Sequence, residues 1–148
     1  LLPSDEVAPG RHPVVVINDG FWRRDFGADP ASDQMRRTVA LVRDNCRWEE
    51  GGQPYFTGEV EPCINGMVVG LGAYFGEDVD VVAGRLISEQ LDDGGWNCWA
   101  EYGAVVSSAA TTINVLEGLL AHEQATGGSA ESIEARRRGD DVVHARRR

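Results

Sequence analysis

The stretch from Arg85 to Trp96, Arg-Leu-Ile-Ser-Glu-Gln-Leu-Asp-Asp-Gly-Gly-Trp, constrains this chain more than any other. It reads as a helix end running into a tight turn. Leu86 and Gln90 are four residues apart and share one helical face. Asp92-Asp93 stops the helix, and Gly94-Gly95 supplies backbone freedom that other residues lack. Trp96 then brings a large apolar body with a single N–H to place. A glutamine able to reach the free N–H groups of a neighbouring helix, followed by Gly-x-Trp, is a device for locking helical hairpins side by side.

The rest of the chain supplies the hairpins. Residues 1–31 are read as an N-terminal extended or loop segment, with Val14-Val15-Val16-Ile17 as a short strand or extended stretch. Phe21, Trp22 and Phe26 supply apolar bulk there, as a cap over the core or as part of a pocket. Residues 32–148 are read as one helical domain. Its first helix spans Ser32 to Trp48, with Ser32 as N-cap and Met35, Val39, Val42 and Cys46 as an apolar stripe. A loop rich in glycine leads to Pro62, well placed in a first turn. The helix from Cys63 to Phe75 is apolar nearly all round, which predicts burial on every face, and Gly76 is expected to end it. Its Gly66, Gly70 and Gly72 admit close neighbours, although each costs roughly 1 kcal/mol in helix propensity.

Asp80 to Leu91 predicts the next helix, with Val82, Ala83, Leu86 and Ile87 facing inward. A helix from Ser108 to Glu123 follows, capped by Ser107 or Ser108 and ended by Gly127-Gly128. The last helix, from Ser129 to Arg148, has little more than Ile133, Val142 and Val143 to hold it. The pattern repeats. Cys63-Ile64-Asn65 aligns with Thr112-Ile113-Asn114 at an offset of 49 residues, and Met67 falls on Leu116. A repeat near 50 residues, alternating wet outer and apolar inner helices, predicts an all-α fold of about five helices built from stacked hairpins.

Charge and cysteine usage narrow the partners. The net charge is −10, and all 14 positive residues are arginine with no basic stripe, which argues against nucleic acid. Cys46, Cys63 and Cys98 are odd in number and lack Cys-x-x-Cys spacing, which fits free thiols in a reducing cytoplasm. No apolar run approaches the roughly 20 residues of a membrane span. Both ends read as cut, so a longer protein with further C-terminal hairpins is expected, or a homodimer covering the exposed inner-helix surface.

The string Leu86-x-x-x-Gln90-x-x-x-Gly94-x-Trp96 resembles the QW repeat of squalene and hopene cyclases. Ser107 to Leu120 is similar to an inner helix of the same terpenoid cyclase and protein prenyltransferase superfamily. The likeness runs from about Val39 to Glu123 and is greatest to small actinobacterial squalene cyclase-like or prenyltransferase-like proteins. It implies a partial α/α toroid around an apolar cavity. It also implies an isoprenoid or other long apolar ligand, with Trp96, Trp99 and Tyr102 as candidates to line or cover the cavity. The same aromatics read equally as wedges between hairpins.

The implied chemistry is incomplete. Hopene-type cyclases protonate an alkene with Asp-x-Asp-Asp, and the nearest string here, Asp78-Val79-Asp80-Val81, lacks the last acid and reads as helix N-terminal charge. Asp92-Asp93 reads as a helix stop, since a diphosphate-binding Asp-Asp-x-x-Asp would need an acid where Trp96 stands. Protein prenyltransferases hold zinc with Asp-x-Cys at one inner helix and His at a later one. Glu61-Pro62-Cys63 resembles the first half, so Glu61 and Cys63 are candidate zinc ligands. Ala110 stands where the histidine is expected. His122 lies twelve residues further on, roughly 18 Å along a helix, and His12 and His144 lie near the chain ends with no role assigned. No other cofactor is implied, and no catalytic residue is designated. A non-catalytic scaffold that binds an apolar ligand or a partner protein is the alternative.

Overall fold

The computed structural model of the protein describes residues 29–49 and 51–145. The expected Val14–Ile17 segment, His12, Phe21, Trp22 and Phe26 lie outside the described residues. Within them the protein is all-α, with five helices: α1 (Asp33–Asn45), α2 (Pro62–Phe75), α3 (Asp80–Ser88), α4 (Ala109–Thr126) and α5 (Ala130–Ala145). None of the described helices is long and apolar enough to cross a membrane.

The caps follow from the residues expected to make them. Ser32 Oγ accepts the Met35 N–H at 3.2 Å, and Ser108 Oγ accepts that of Thr111 at 3.4 Å. Gly76 and Gly127 close α2 and α4 in the left-handed region. Helix α1 ends at Asn45, three residues short of expectation, because the chain turns extended and pairs with itself. Tyr55 N–H donates to Cys46 C=O at 3.2 Å, and Trp48 N–H donates to Gln53 C=O at 3.0 Å. The Trp48 ring stacks on Tyr55 with centroids 5.0 Å apart, and its indole N–H donates to the Tyr55 carbonyl. These long-range partners outweigh one more turn of helix.

Helices α2 and α4 form the centre and run parallel. Gly66 faces the Asn114 backbone and Gly70 faces Gly118, so residue numbers rise together along the pair. A Cβ at Gly66 would lie 2.5 Å from the Asn114 carbonyl oxygen. Around this contact pack Val68, Val69, Val82, Leu86, Val115 and Leu119, all buried. Burial of α2 is not complete all round, however: Met67 is 53% exposed, as are Ile113 (42%) and Leu120 (41%) on α4. The apolar run marks a helix packed on several neighbours, and one stripe is left over.

The turn that organises the sequence also organises the packing. Trp96 is fully buried, and its indole N–H donates to the Leu86 carbonyl at 2.7 Å. Helix α3 stops at Ser88 rather than Leu91, because Leu91 N–H turns back to the Gly95 carbonyl and Gly94 N–H to that of Leu91. Gln90 therefore sits beyond the helix and bonds in the opposite sense to the expected one. Its Nε2 donates to the carbonyls of Gly94 and Ala135, both at 2.7 Å, instead of accepting from helix N–H groups. Arg138 donates to its Oε1 at 3.0 Å. Gln90 thus ties the turn to the middle of α5. Removing it as Gln90→Ala is expected to lower stability by about 1–3 kcal/mol, read as a lower urea midpoint at unchanged slope.

Small residues let α5 approach closely, and of its expected apolar anchors Val143 packs against the core and Val142 lies beside Gly94. Ser132, Ala135 and Gly139 are buried, whereas Ile133 is 47% exposed. A Cβ at Gly139 would lie 2.8 Å from Trp96 Cζ3, so α5 crosses directly over the indole. Arg136 and Ser132 both bond Glu123 at 3.0 Å and fix α5 against α4.

Candidate metal centre

The parallel arrangement brings the starts of α2 and α4 to one end of the molecule, and Glu61, Cys63 and Cys98 converge there. The approach to α2 is pinned by a buried side chain. Asn65 receives the Glu59 N–H at 2.7 Å on its Oδ1 and donates to the Glu59 carbonyl at 2.8 Å. Arg85 adds bonds to the Glu59 and Val60 carbonyls at 2.7 and 3.3 Å. Glu61 is the N-cap residue of α2, but its side chain makes no capping bond. It meets the Cys63 thiol instead, with Sγ to Oε2 at 3.5 Å.

Cys98 arrives from the turn after Trp96. Asp93 fixes that turn by accepting the Ser107 N–H and hydroxyl at 2.8 and 2.9 Å and the Gly95 N–H at 3.2 Å. Thr112 Oγ1 accepts the Trp96 N–H at 3.0 Å, and the Ser108 N–H donates to the Trp96 carbonyl at 2.8 Å. Cys98 Sγ consequently lies 2.8 Å from Cys63 Sγ and 3.5 Å from Thr111 Oγ1. One ligand atom from each of Glu61, Cys63 and Cys98 lies within 4.8 Å of the others. Burial pushes the Cys63 thiol up to about 12, with hydrogen bonding and charge at Cys98 and then Glu61 adding to it. The Cys63 thiol is thereby held in its protonated form unless a cation joins the cluster.

The other sequence candidates fall differently. Trp96 lies wholly within the core. Trp99 and Tyr102 are 69% and 76% exposed, with ring centroids 5.7 Å apart, in the segment directly following Cys98. Ala110 is exposed in the first turn of α4, beside Thr111. Asp78 Oδ1 accepts the Asp80 N–H at 3.1 Å, in keeping with a helix-entry role for these acids. His122 is buried and pairs through Nε2 with Asp80 at 2.8 Å, away from the thiols. Cys46 is exposed at the end of α1. Between α4 and α5 lies an open groove of about 260 Å³, whose lining includes Ile113, Leu116, Leu120 and Val143.

Cys98 is the residue that reading the sequence misses. Its signal was present: it follows Trp96 by two residues, where the turn delivers the chain to the head of an inner helix. Parallel inner helices place both heads together, and so both cysteines. Compared with known proteins, the chain matches no family model, no curated protein and no solved structure.

Proposed function

We propose that the protein is a terpenoid cyclase- or prenyltransferase-like domain, a partial α/α toroid. On this reading Glu61, Cys63 and Cys98 hold zinc beside a surface for an isoprenoid or other long apolar ligand. The observation that carries it is the convergence of these three side chains where parallel helices α2 and α4 begin. The donor set suits zinc, which takes thiolate and carboxylate ligands and keeps a fourth position open when three come from protein. There it would hold a substrate thiol as the reactive thiolate or polarise an oxygen. Glu61 and the two cysteines supply the negative charge, and Thr111 sets the orientation of Cys98. Trp99 and Tyr102 offer exposed apolar surface in the segment directly following Cys98. A second reading, a scaffold that binds an apolar ligand without turning it over, is favoured by Ala110 at the expected histidine position and by the incomplete Asp-x-Asp-Asp string.

The test is zinc content after reduction, chelation and zinc add-back, with farnesyl diphosphate and geranylgeraniol binding followed by tryptophan quenching. Wild type is expected to retain one zinc per chain. Cys98→Ser is expected to weaken zinc by on the order of a hundredfold, the share of one ligand in a typical structural site. Zinc absent from wild type but gained by Ala110→His would support the non-catalytic scaffold. Zinc in neither would remove the metal from the account, and no quenching by either lipid would remove the isoprenoid.

A further inference from the structure

We propose that Cys63 and Cys98 form a reversible disulfide, so that the sulfurs which hold a metal in the reduced protein bond to each other under hydroperoxide. Their 2.8 Å separation lies between two chemical states. A disulfide needs about 2.05 Å. Two sulfurs on one tetrahedral zinc, each at about 2.3 Å from the metal, stand about 3.8 Å apart. Either state is reached by a shift of less than about 1 Å in side chains whose backbones are already anchored. Cys63 is anchored through Asn65 and the Glu59 backbone, and Cys98 through Asp93, Ser107 and Thr112. Both thiols are half-buried, so a small oxidant has access.

The step balances. One thiol takes an oxygen from the hydroperoxide, which leaves as an alcohol or water, and becomes a sulfenic acid. The second sulfur attacks it, the S–S bond forms, and water carries away the hydroxyl and the remaining proton. Two electrons pass from the two sulfurs to the peroxide O–O bond. A thiol reductant reverses the change. Bond formation stands on the geometry alone, whereas its consequence for zinc rests on the reading above.

The experiment uses the full chain, metal-free and reduced, exposed to hydrogen peroxide, alkylated, digested and weighed. The expected product is one intramolecular link between the Cys63 and Cys98 peptides, two hydrogens lighter and lost on adding dithiothreitol. Cys46→Ser is expected to keep the link, and Cys63→Ser and Cys98→Ser are each expected to abolish it. Sulfinic acids at both positions with no link, or links made only through Cys46, would overturn the proposal. Zinc uptake measured in parallel should fall at least tenfold on oxidation. A link in a protein that binds no zinc when reduced leaves this inference standing and removes the metal reading. Zinc without a link does the reverse.

Discussion

Trp96→Ala is expected to cost about 3–5 kcal/mol, the range for deleting a large aromatic side chain from a packed core. That is a large part of the roughly 5–15 kcal/mol that holds a domain of this kind together. The reason is its position between layers. Its indole fills the space beneath Gly139 of α5, beside Leu116 of α4, and its N–H satisfies the Leu86 carbonyl at the end of α3. Truncation removes all three contacts at once. At about 2–4 °C per kcal/mol, the melting temperature should fall by about 6–20 °C. Trp96→Phe separates the contributions: it keeps most of the volume but leaves the Leu86 carbonyl without its donor, so a loss of about 1–3 kcal/mol is expected. Thermal melts followed by circular dichroism measure both. A fall of only a degree or two for Trp96→Ala would mean that the turn does not organise the core.

Gly118→Ala is the second large effect, and its control has the opposite sign. A Cβ at Gly118 would land on the Gly66 carbonyl oxygen, a backbone atom that cannot turn aside. Helices α2 and α4 would have to separate, at a cost of about 1–3 kcal/mol or more for overpacking. The gain in helix propensity, about 1 kcal/mol, offsets only part of that. Gly84→Ala in α3 meets nothing within 4 Å and faces solvent. It should gain about 0.5–1 kcal/mol, since only propensity changes. Equal and favourable shifts for both substitutions would contradict the close parallel contact.

Local chemistry made the helices legible in advance. Ser32, Ser108, Gly76 and Gly127 act where their side chains, or the lack of one, demand it, and Pro62 opens α2. Legibility failed where a distant partner decides. Trp48 leaves its helix for Tyr55, and Gln90 leaves its helix because the Gly94–Gly95 turn reaches back to Leu91. Its bonding sense was misread because a glutamine both donates and accepts, and only the position of Ala135 selects between them. The expected buried face of α5 was only partly right for a similar reason. Val143 does pack on the core, but Ile133, the first apolar anchor in the sequence, stays half-exposed, because the indole of Trp96 requires a small residue opposite and Gly139 provides it. At the site, Glu61 and Cys63 were visible because they are neighbours in sequence. Cys98 is 35 positions away, and its approach depends on the parallel sense of α2 and α4.

The most direct measurement is the absorption spectrum of the reduced protein titrated with cobalt(II), a spectroscopically visible stand-in for zinc. One cobalt per chain is expected, with sulfur-to-metal charge-transfer bands about halved in Cys63→Ser and in Cys98→Ser and unchanged in Cys46→Ser. Bands absent from the wild type, or insensitive to both cysteines, would contradict a metal centre at the head of the parallel helix pair.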